Sequence, residues 1–270
     1  DCKSRQLLPI TQEVLYSHLT GQKVIGIYPL LATDQCRLLA VDFDKSDWKN
    51  CVTAFSEACL SLNIPFLVER SRSGNGAHVW IFFSEPIAAK QARLMGAGIL
   101  DKAMELYPAL DFESYDRMFP NQDHMPAGGF GNLIALPLQK HARALGNSTF
   151  IDSNFNAFTD PWTVLQQTEL MSSSEVNNIV NELGYNFIEQ NQTDVDHEAP
   201  WVKNIPKKNQ KIAGCPDAIE LVFANMIHIP IQTLPSQLIA QLKRLATFSN
   251  PRFFKAQAMR FSTTGIPRHI

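Results

Sequence analysis

The chain has 270 residues and 45% hydrophobic content, enough to bury a sizeable core as one large domain or two modest ones. No apolar run approaches the ~20 residues a membrane-spanning helix needs, and the polar start Asp1-Cys2-Lys3 lacks a signal-peptide core, so no membrane partner is expected. Five scattered cysteines, at 2, 36, 51, 59 and 215, form no CxxC; neither a disulfide framework nor a zinc site is visible, and a cytoplasmic protein is expected.

The net charge of −2 hides an asymmetry: after Glu220 there is no acidic residue, while Lys243, Arg244, Arg252, Lys255, Arg260 and Arg268 follow. A basic tail behind an acidic body suits contact with a polyanion, or a solvated face.

Thr11 is placed to cap a short helix ending near Gly21, and 24–31 reads as a strand. Residues 37–44 (RLLAVDFD) form a second strand, and Val52, Phe55, Cys59 and Leu62 mark one face of a helix over 48–62. Strands over 65–70 and 78–83 follow, then a helix over 88–107. A stretch rich in Pro, Gly, Asn and Asp leads to a last strand over 132–138 (NLIALPL).

From residue 37 on, this is β-α-β-β-α-β, the split order of a ferredoxin-like or RRM-like module. The expected fold is therefore α+β, with an RRM-like module over about 36–140, an N-terminal α/β extension and a mostly helical C-terminal region. Its sheet order should be 4-1-3-2, with the first and third strands central and antiparallel. Pro137 suits an edge position for the fourth strand, where a missing N–H is tolerated.

Beyond residue 150 two helices are expected within 161–184, the second opened by a capping box of Ser172 and Glu175. Residues 186–216, with Lys203, Lys207, Lys208 and Lys211, read as a linker or mobile arm. A strand-like 219–231 and a helix over 236–248 complete the pattern. The expected division is a catalytic core over 1–160 and an accessory region over 161–270, cut from a longer polypeptide.

Three segments carry candidate chemistry. In Val41-Asp42-Phe43-Asp44-Lys45, alternation puts Asp42 and Asp44 on one face at a strand end. Such a pair suits Mg²⁺ or Mn²⁺, or a plain strand-end role. In Ser71-Arg-Ser-Gly-Asn-Gly-Ala-His78 no P-loop lysine and no third dinucleotide-type glycine is present. Gly74 and Gly76 would let backbone amides approach an anion, Ser73 offers a hydroxyl, and Arg70, Arg72 and His78 offer donors; the other reading is a hairpin turn. Topology places this loop beside Asp42 and Asp44. The third segment, 114–123 followed by 128–137, supplies Asp116 or Asp123 as a third carboxylate, Asp111 as a weaker one, Arg117 as a further phosphate ligand, and Asn132 either to position the nucleotide or to cap the strand entry.

Asp42-Phe-Asp44, Ser73-Gly-Asn-Gly-Ala-His78 and Tyr115-Asp116 resemble, in order and spacing, the three motifs of the archaeo-eukaryotic primase superfamily. The strings ERSRSGNGAHVWIFF, YDRMFPNQD and GGFGNLIALPLQ resemble the primase-polymerase domain of the helicase-linked proteins of TOTE conflict systems, over about residues 7–165. The resemblance implies a template-dependent nucleotidyltransferase (primase or DNA-directed polymerase) in which Asp42, Asp44 and Asp116 hold two Mg²⁺ or Mn²⁺ ions. Ser73 and His78 would then hold the triphosphate of an NTP or dNTP. Single-stranded template and primer, and a fused or associated helicase, are the implied partners. In such relatives a Cys-rich segment precedes the domain, of which only Cys2 remains here. A non-catalytic nucleic-acid-binding module and a metal-dependent nuclease are the alternatives.

Overall fold

The computed structural model describes residues 9–44, 46–107, 110, 117–125, 129–183, 214–219, 222–223, 227–229, 234–239 and 242. Residues 186–213 of the expected linker and most of the basic tail lie outside these residues, as do Lys45, Asp111 and Asp116.

The fold is α+β, built on a five-stranded antiparallel sheet. The first helix, α1 (Gln12–Leu19), is capped by Thr11, whose hydroxyl accepts from the Val14 amide at 3.3 Å. A two-residue strand, β1 (Gly26–Ile27), precedes β2 (Gln35–Phe43), α2 (Trp48–Ser61), β3 (Leu67–Arg70), β4 (Ala77–Ala88) and α3 (Ala89–Leu106). Then come β5 (Arg117–Phe119), β6 (Ile134–Ala135), α4 (Lys140–Ala144), β7 (Thr149–Ile151), α5 (Pro161–Gln167) and α6 (Ser173–Glu182). A short antiparallel pair, β8 (Val222–Phe223) and β9 (Ile227–His228), falls in the segment expected to be strand-like. Of the helix expected over 236–248, residues 236–239 and 242 are described and helical.

The sheet order is β5-β2-β4-β3-β7. The central antiparallel pair of β2 and β4 is as the split order requires, with Asp42 opposite His78 and Phe43 opposite Ala77. The fourth strand of the expected module needs correction. Arg117–Phe119, not the segment 132–138, pairs with β2 at that edge, and Ile134–Ala135 pairs with β1 in a separate two-stranded sheet. Three residues between polar flanks gave no periodic signal, and Pro120, which has no N–H, follows directly. The seven-residue apolar run reads as a better strand, yet Pro137 and the positive φ of Leu138 (68°) end its ladder early. A fifth strand, β7, extends the sheet beyond β3. The strand expected over 24–31 likewise contracts to two residues.

Alternation along the strands divides the core. Val41, Phe43, Val79, Ile81 and Ile151 face α2, α3 and α6 in one apolar cluster. Ala40, Leu67, Trp80, Phe119 and Phe150 face the other way and meet Ile134 and Leu138. Helix α2 contributes Cys51, Val52, Phe55, Ala58 and Cys59, the three-and-four spacing that makes one buried stripe. At Gly96 of α3 a Cβ would stand 2.9 Å from Leu39 and Met118 atoms, so the helix lies close on the sheet.

The capping box is present at α6: Ser172 accepts from the Glu175 amide, and the Glu175 carboxylate accepts from the Ser172 amide at 2.7 Å. Val176, Ile179 and Val180 carry this helix into the main cluster. Ahead of it, Met171 exchanges backbone hydrogen bonds with Phe82 (2.9 Å) and Ser84 (3.0 Å), taking over the flank of β4 where β3 has ended. Among the described residues no helix is long and apolar enough to cross a membrane.

Candidate active site at one end of the sheet

One rung of the sheet gathers the site. Arg117 of β5 pairs with Asp42 of β2, Asp42 with His78 of β4, His78 with Glu69 of β3, and Glu69 with Phe150 of β7. Residues paired across an antiparallel ladder share a face, so Asp42, His78 and Glu69 lie side by side on the face opposite α2 and α3. His78 Nε2 is 3.4 Å from Asp42 Oδ1, and His78 Nδ1 is 2.9 Å from Glu69 Oε2. The imidazole thus stands between two carboxylates.

The environment of these acids differs. Glu69 is 2% exposed, whereas the Asp42 side chain keeps 16% of its surface and Asp44, just beyond the strand end, is exposed. Burying a carboxylate costs several kcal/mol unless donors replace its water. Glu69 has three: the His78 ring, the Trp80 indole Nε1–H at 3.0 Å and the Ser148 hydroxyl at 3.3 Å.

The loop between β3 and β4 lies against the end of β2, as the topology predicts. A Cβ on Gly76 would stand 2.5 Å from the Phe43 carbonyl oxygen and 3.0 Å from Asp44 Cα. The hairpin is closed by the Ser71 amide donating to the Gly76 carbonyl at 2.9 Å and the Gly74 amide donating to the Ser71 carbonyl at 3.0 Å. Gly74 has φ +81°, a left-handed conformation that a side chain resists, and its missing Cβ leaves space for the Asn147 amide group. Ser73 is exposed; its hydroxyl lies 3.0 Å from Ser71 Oγ and accepts from the Asn75 amide at 3.2 Å. Arg72 is also exposed.

Not every expected residue joins this face. Arg70 pairs with Ala77, one position out of phase with His78, and therefore belongs to the helix-covered face. There its guanidinium donates to the Phe155 carbonyl oxygen. Asn132 precedes β6 and takes no part in the β2 ladder. Asp123 forms an ion pair with Arg93 of α3. Asp116 lies outside the described residues, and for Arg117 the backbone register is what the structure gives. Among the described residues no group of three or more His, Cys, Asp or Glu side chains is arranged to hold a metal ion.

Glu69, Trp80 and Ser148 were not singled out from the sequence. A signal for Glu69 was present: in Leu67-Val-Glu-Arg70 it shares strand parity with Leu67, as His78 does with Trp80. Ser148 arrives immediately before β7, a strand that no periodicity announces.

Three cysteines are buried away from this chemistry. Burial pushes the Cys36 thiol up to about 12 and the Cys59 thiol higher still. Cys215 is exposed. A cavity of about 320 Å³ lined by Arg143, Thr149, Phe158 and Trp162 lies beyond the β7 edge and includes none of the sequence-derived site residues.

No curated protein matches the chain. Residues 1–179 match the family described as the TOTE conflict system, Archaeo-Eukaryotic Primase domain.

Proposed function

The chain belongs to this family, the archaeo-eukaryotic primase domain of the TOTE conflict system, and from that premise we propose that it is a template-dependent nucleotidyltransferase of the DNA/RNA primase-polymerase type. A primase domain implies nucleic acid and nucleoside triphosphates as substrates. The observation that carries the finer reading is the pairing of Asp42 with His78 at the sheet end where Asp44 and the 71–76 loop also meet.

The donor set fits hard divalent cations. Asp42 and Asp44 offer carboxylate oxygens at an edge that keeps access to solvent, which suits Mg²⁺ or Mn²⁺ completed by phosphate and water oxygens. Asp116 is proposed as the third ligand, since Asp123 is engaged by Arg93. Two bound ions would lower the pKa of the attacking hydroxyl and offset charge on the transferring phosphoryl group.

The chain's own residues supply the rest. Ser73 and the exposed Arg72 address the triphosphate, Gly74 and Gly76 let the loop backbone come close to it, and His78 Nε2 lies to one side beside Asp42. The buried strand behind His78, with Val79 at 0% and Ile81 at 1% exposure, keeps that nitrogen in place. The substrates in this reading are NTP or dNTP on a single-stranded template with primer. The basic region after residue 199 holds template phosphates, and a helicase is fused or associated.

A bare RRM-type binding module is the weaker reading. Such modules stack bases on exposed aromatics of the sheet face, whereas here Trp80 and Phe119 are buried beneath Ile134 and Leu138.

The test is primer extension and de novo synthesis on a single-stranded template with Mg²⁺ or Mn²⁺. Wild type is expected to incorporate nucleotides and the Asp42→Ala/Asp44→Ala variant to fail; incorporation surviving the double change would overturn the assignment.

A further inference from the structure

We propose that Glu69 is a positioning residue for His78: its buried carboxylate accepts a hydrogen bond from Nδ1–H and thereby fixes the ring so that Nε2 is the nitrogen presented on the Asp42 side. This deepens the nucleotidyl-transfer reading and rests on it for the identity of the ligand that Nε2 meets.

The geometry leaves little freedom. Glu69 Oε2 lies 2.9 Å from His78 Nδ1 and accepts from Trp80 Nε1 at 3.0 Å, while Oε1 accepts from Ser148 Oγ at 3.3 Å. An indole N–H can only donate, so Trp80 commits Oε2 to accepting. With both Glu69 oxygens already taking hydrogens from Trp80 and Ser148, the bond to His78 is made by an Nδ1–H.

Packing fixes the plane of the ring. The Trp80 indole stands edge-on to the imidazole at 6.0 Å between centres, and Trp80 itself is 1% exposed. Flipping the imidazole would exchange the bond at Glu69 for a carbon against a buried carboxylate, leaving that carboxylate one donor short. Nε2 is consequently held 3.4 Å from Asp42 Oδ1, at the edge that the 71–76 loop adjoins.

The arrangement is reached through register alone. Glu69 and His78 are Cα partners on one hairpin, and Ser148 is brought in when its amide donates to the Arg70 carbonyl at 2.8 Å. The hairpin that forms the loop therefore also builds the support beneath the histidine.

Two measurements test this, one independent of nucleotide chemistry. Long-range proton–nitrogen NMR on the ¹⁵N-labelled wild-type chain, without metal or nucleotide, is expected to find His78 protonated at Nδ1; a bare Nδ1 overturns the proposal. The second measures MnATP binding by calorimetry. Glu69→Gln, which keeps an acceptor for the ring, should retain affinity within about threefold. Glu69→Met paired with Trp80→Phe, so that no indole N–H is stranded, should weaken binding by about ten- to a hundredfold. It should match His78→Ala and add nothing in that background. A Glu69→Met/Trp80→Phe chain that binds as wild type, or that weakens His78→Ala further by a similar factor, overturns the proposal. Should wild type neither bind MnATP nor incorporate nucleotides while Nδ1 is protonated, the nucleotidyl-transfer reading fails and the Glu69–His78 assignment stands.

Discussion

Gly76 and Phe43 are in contact through their backbones: a methyl group on Gly76 would stand 2.5 Å from the Phe43 carbonyl oxygen, closer than real Cβ atoms come. The 71–76 loop reaches the end of β2 only because residue 76 has no side chain. Gly76→Ala is expected to destabilise the fold by about 1–3 kcal/mol, read as a lowered urea midpoint. It should also reduce nucleotide incorporation although it removes no functional group. At Gly74, with φ +81° and the Asn147 amide 2.9 Å from a built Cβ, alanine should cost about 1–2 kcal/mol.

Asp116 and Asp123 are expected to separate cleanly. Asp123 is paired with Arg93, both about one-third exposed, so Asp123→Asn should cost under about 1 kcal/mol and leave metal-dependent incorporation near wild type. Asp116→Asn should lower incorporation by at least about a hundredfold. Side-by-side primer extension checks the pair, and the opposite pattern would transfer the third ligand to Asp123.

Alkaline pH should erode stability partly through the thiols. Cys36 is held neutral in the folded chain up to about 12, against an ordinary value of 9.0, so the unfolded chain gives up that proton first. Its contribution is fully present below pH 9.0 and is lost as pH rises towards 12. The stability gap between wild type and Cys36→Ala, measured by urea unfolding, should therefore narrow from pH 8 to pH 10.5. At pH 8 iodoacetamide should label Cys215 while Cys36, Cys51 and Cys59 stay protected, as peptide masses would record.

Ser172→Ala should loosen α6. The hydroxyl accepts from the Glu175 amide, and its removal typically costs about 1 kcal/mol. The Ser172 hydroxyl and amide hold the Glu175 carboxyl below its ordinary 4.5. Its small contribution is therefore present above pH 4.5 and is lost as pH falls through the lowered value. Amide protection factors at Val176 and Val180, corrected for the intrinsic pH dependence of exchange, should fall in the variant and, in wild type, at acid pH.

Much of the sheet was legible because a strand buried on both sides reads as a continuous apolar run. Val79 to Phe83 has apolar residues on both faces, and β4 is central; Asp42 interrupts an apolar run at the site. The split order by itself puts Asp42 beside His78. What escaped was short or out of phase. Arg117–Phe119 is too brief for a period, Thr149–Ile151 has no alternation to read, and NLIALPL is apolar because it roofs the lower face and not because it joins the main sheet. Arg70 was grouped with the loop by proximity in sequence, but strand parity sends it to the other face. Glu69 looked like an ordinary strand acid because burial of a carboxylate becomes visible only when its donors arrive from β4 and from the residue before β7.

The rung from Asp42 through His78 to Glu69 also sets when the site comes into being during folding. Its members sit on three strands, and the support beneath them needs Ser148 from far along the chain. The hairpin brings Glu69 and Trp80 to the imidazole, but the buried carboxylate has its third donor only once Ser148 is in place. The site therefore belongs to the cooperative unit, and the amides of His78 and Glu69 should open only when the whole sheet does. Partial unfolding would then abolish the chemistry all at once, leaving no crippled intermediate to act on nucleotides.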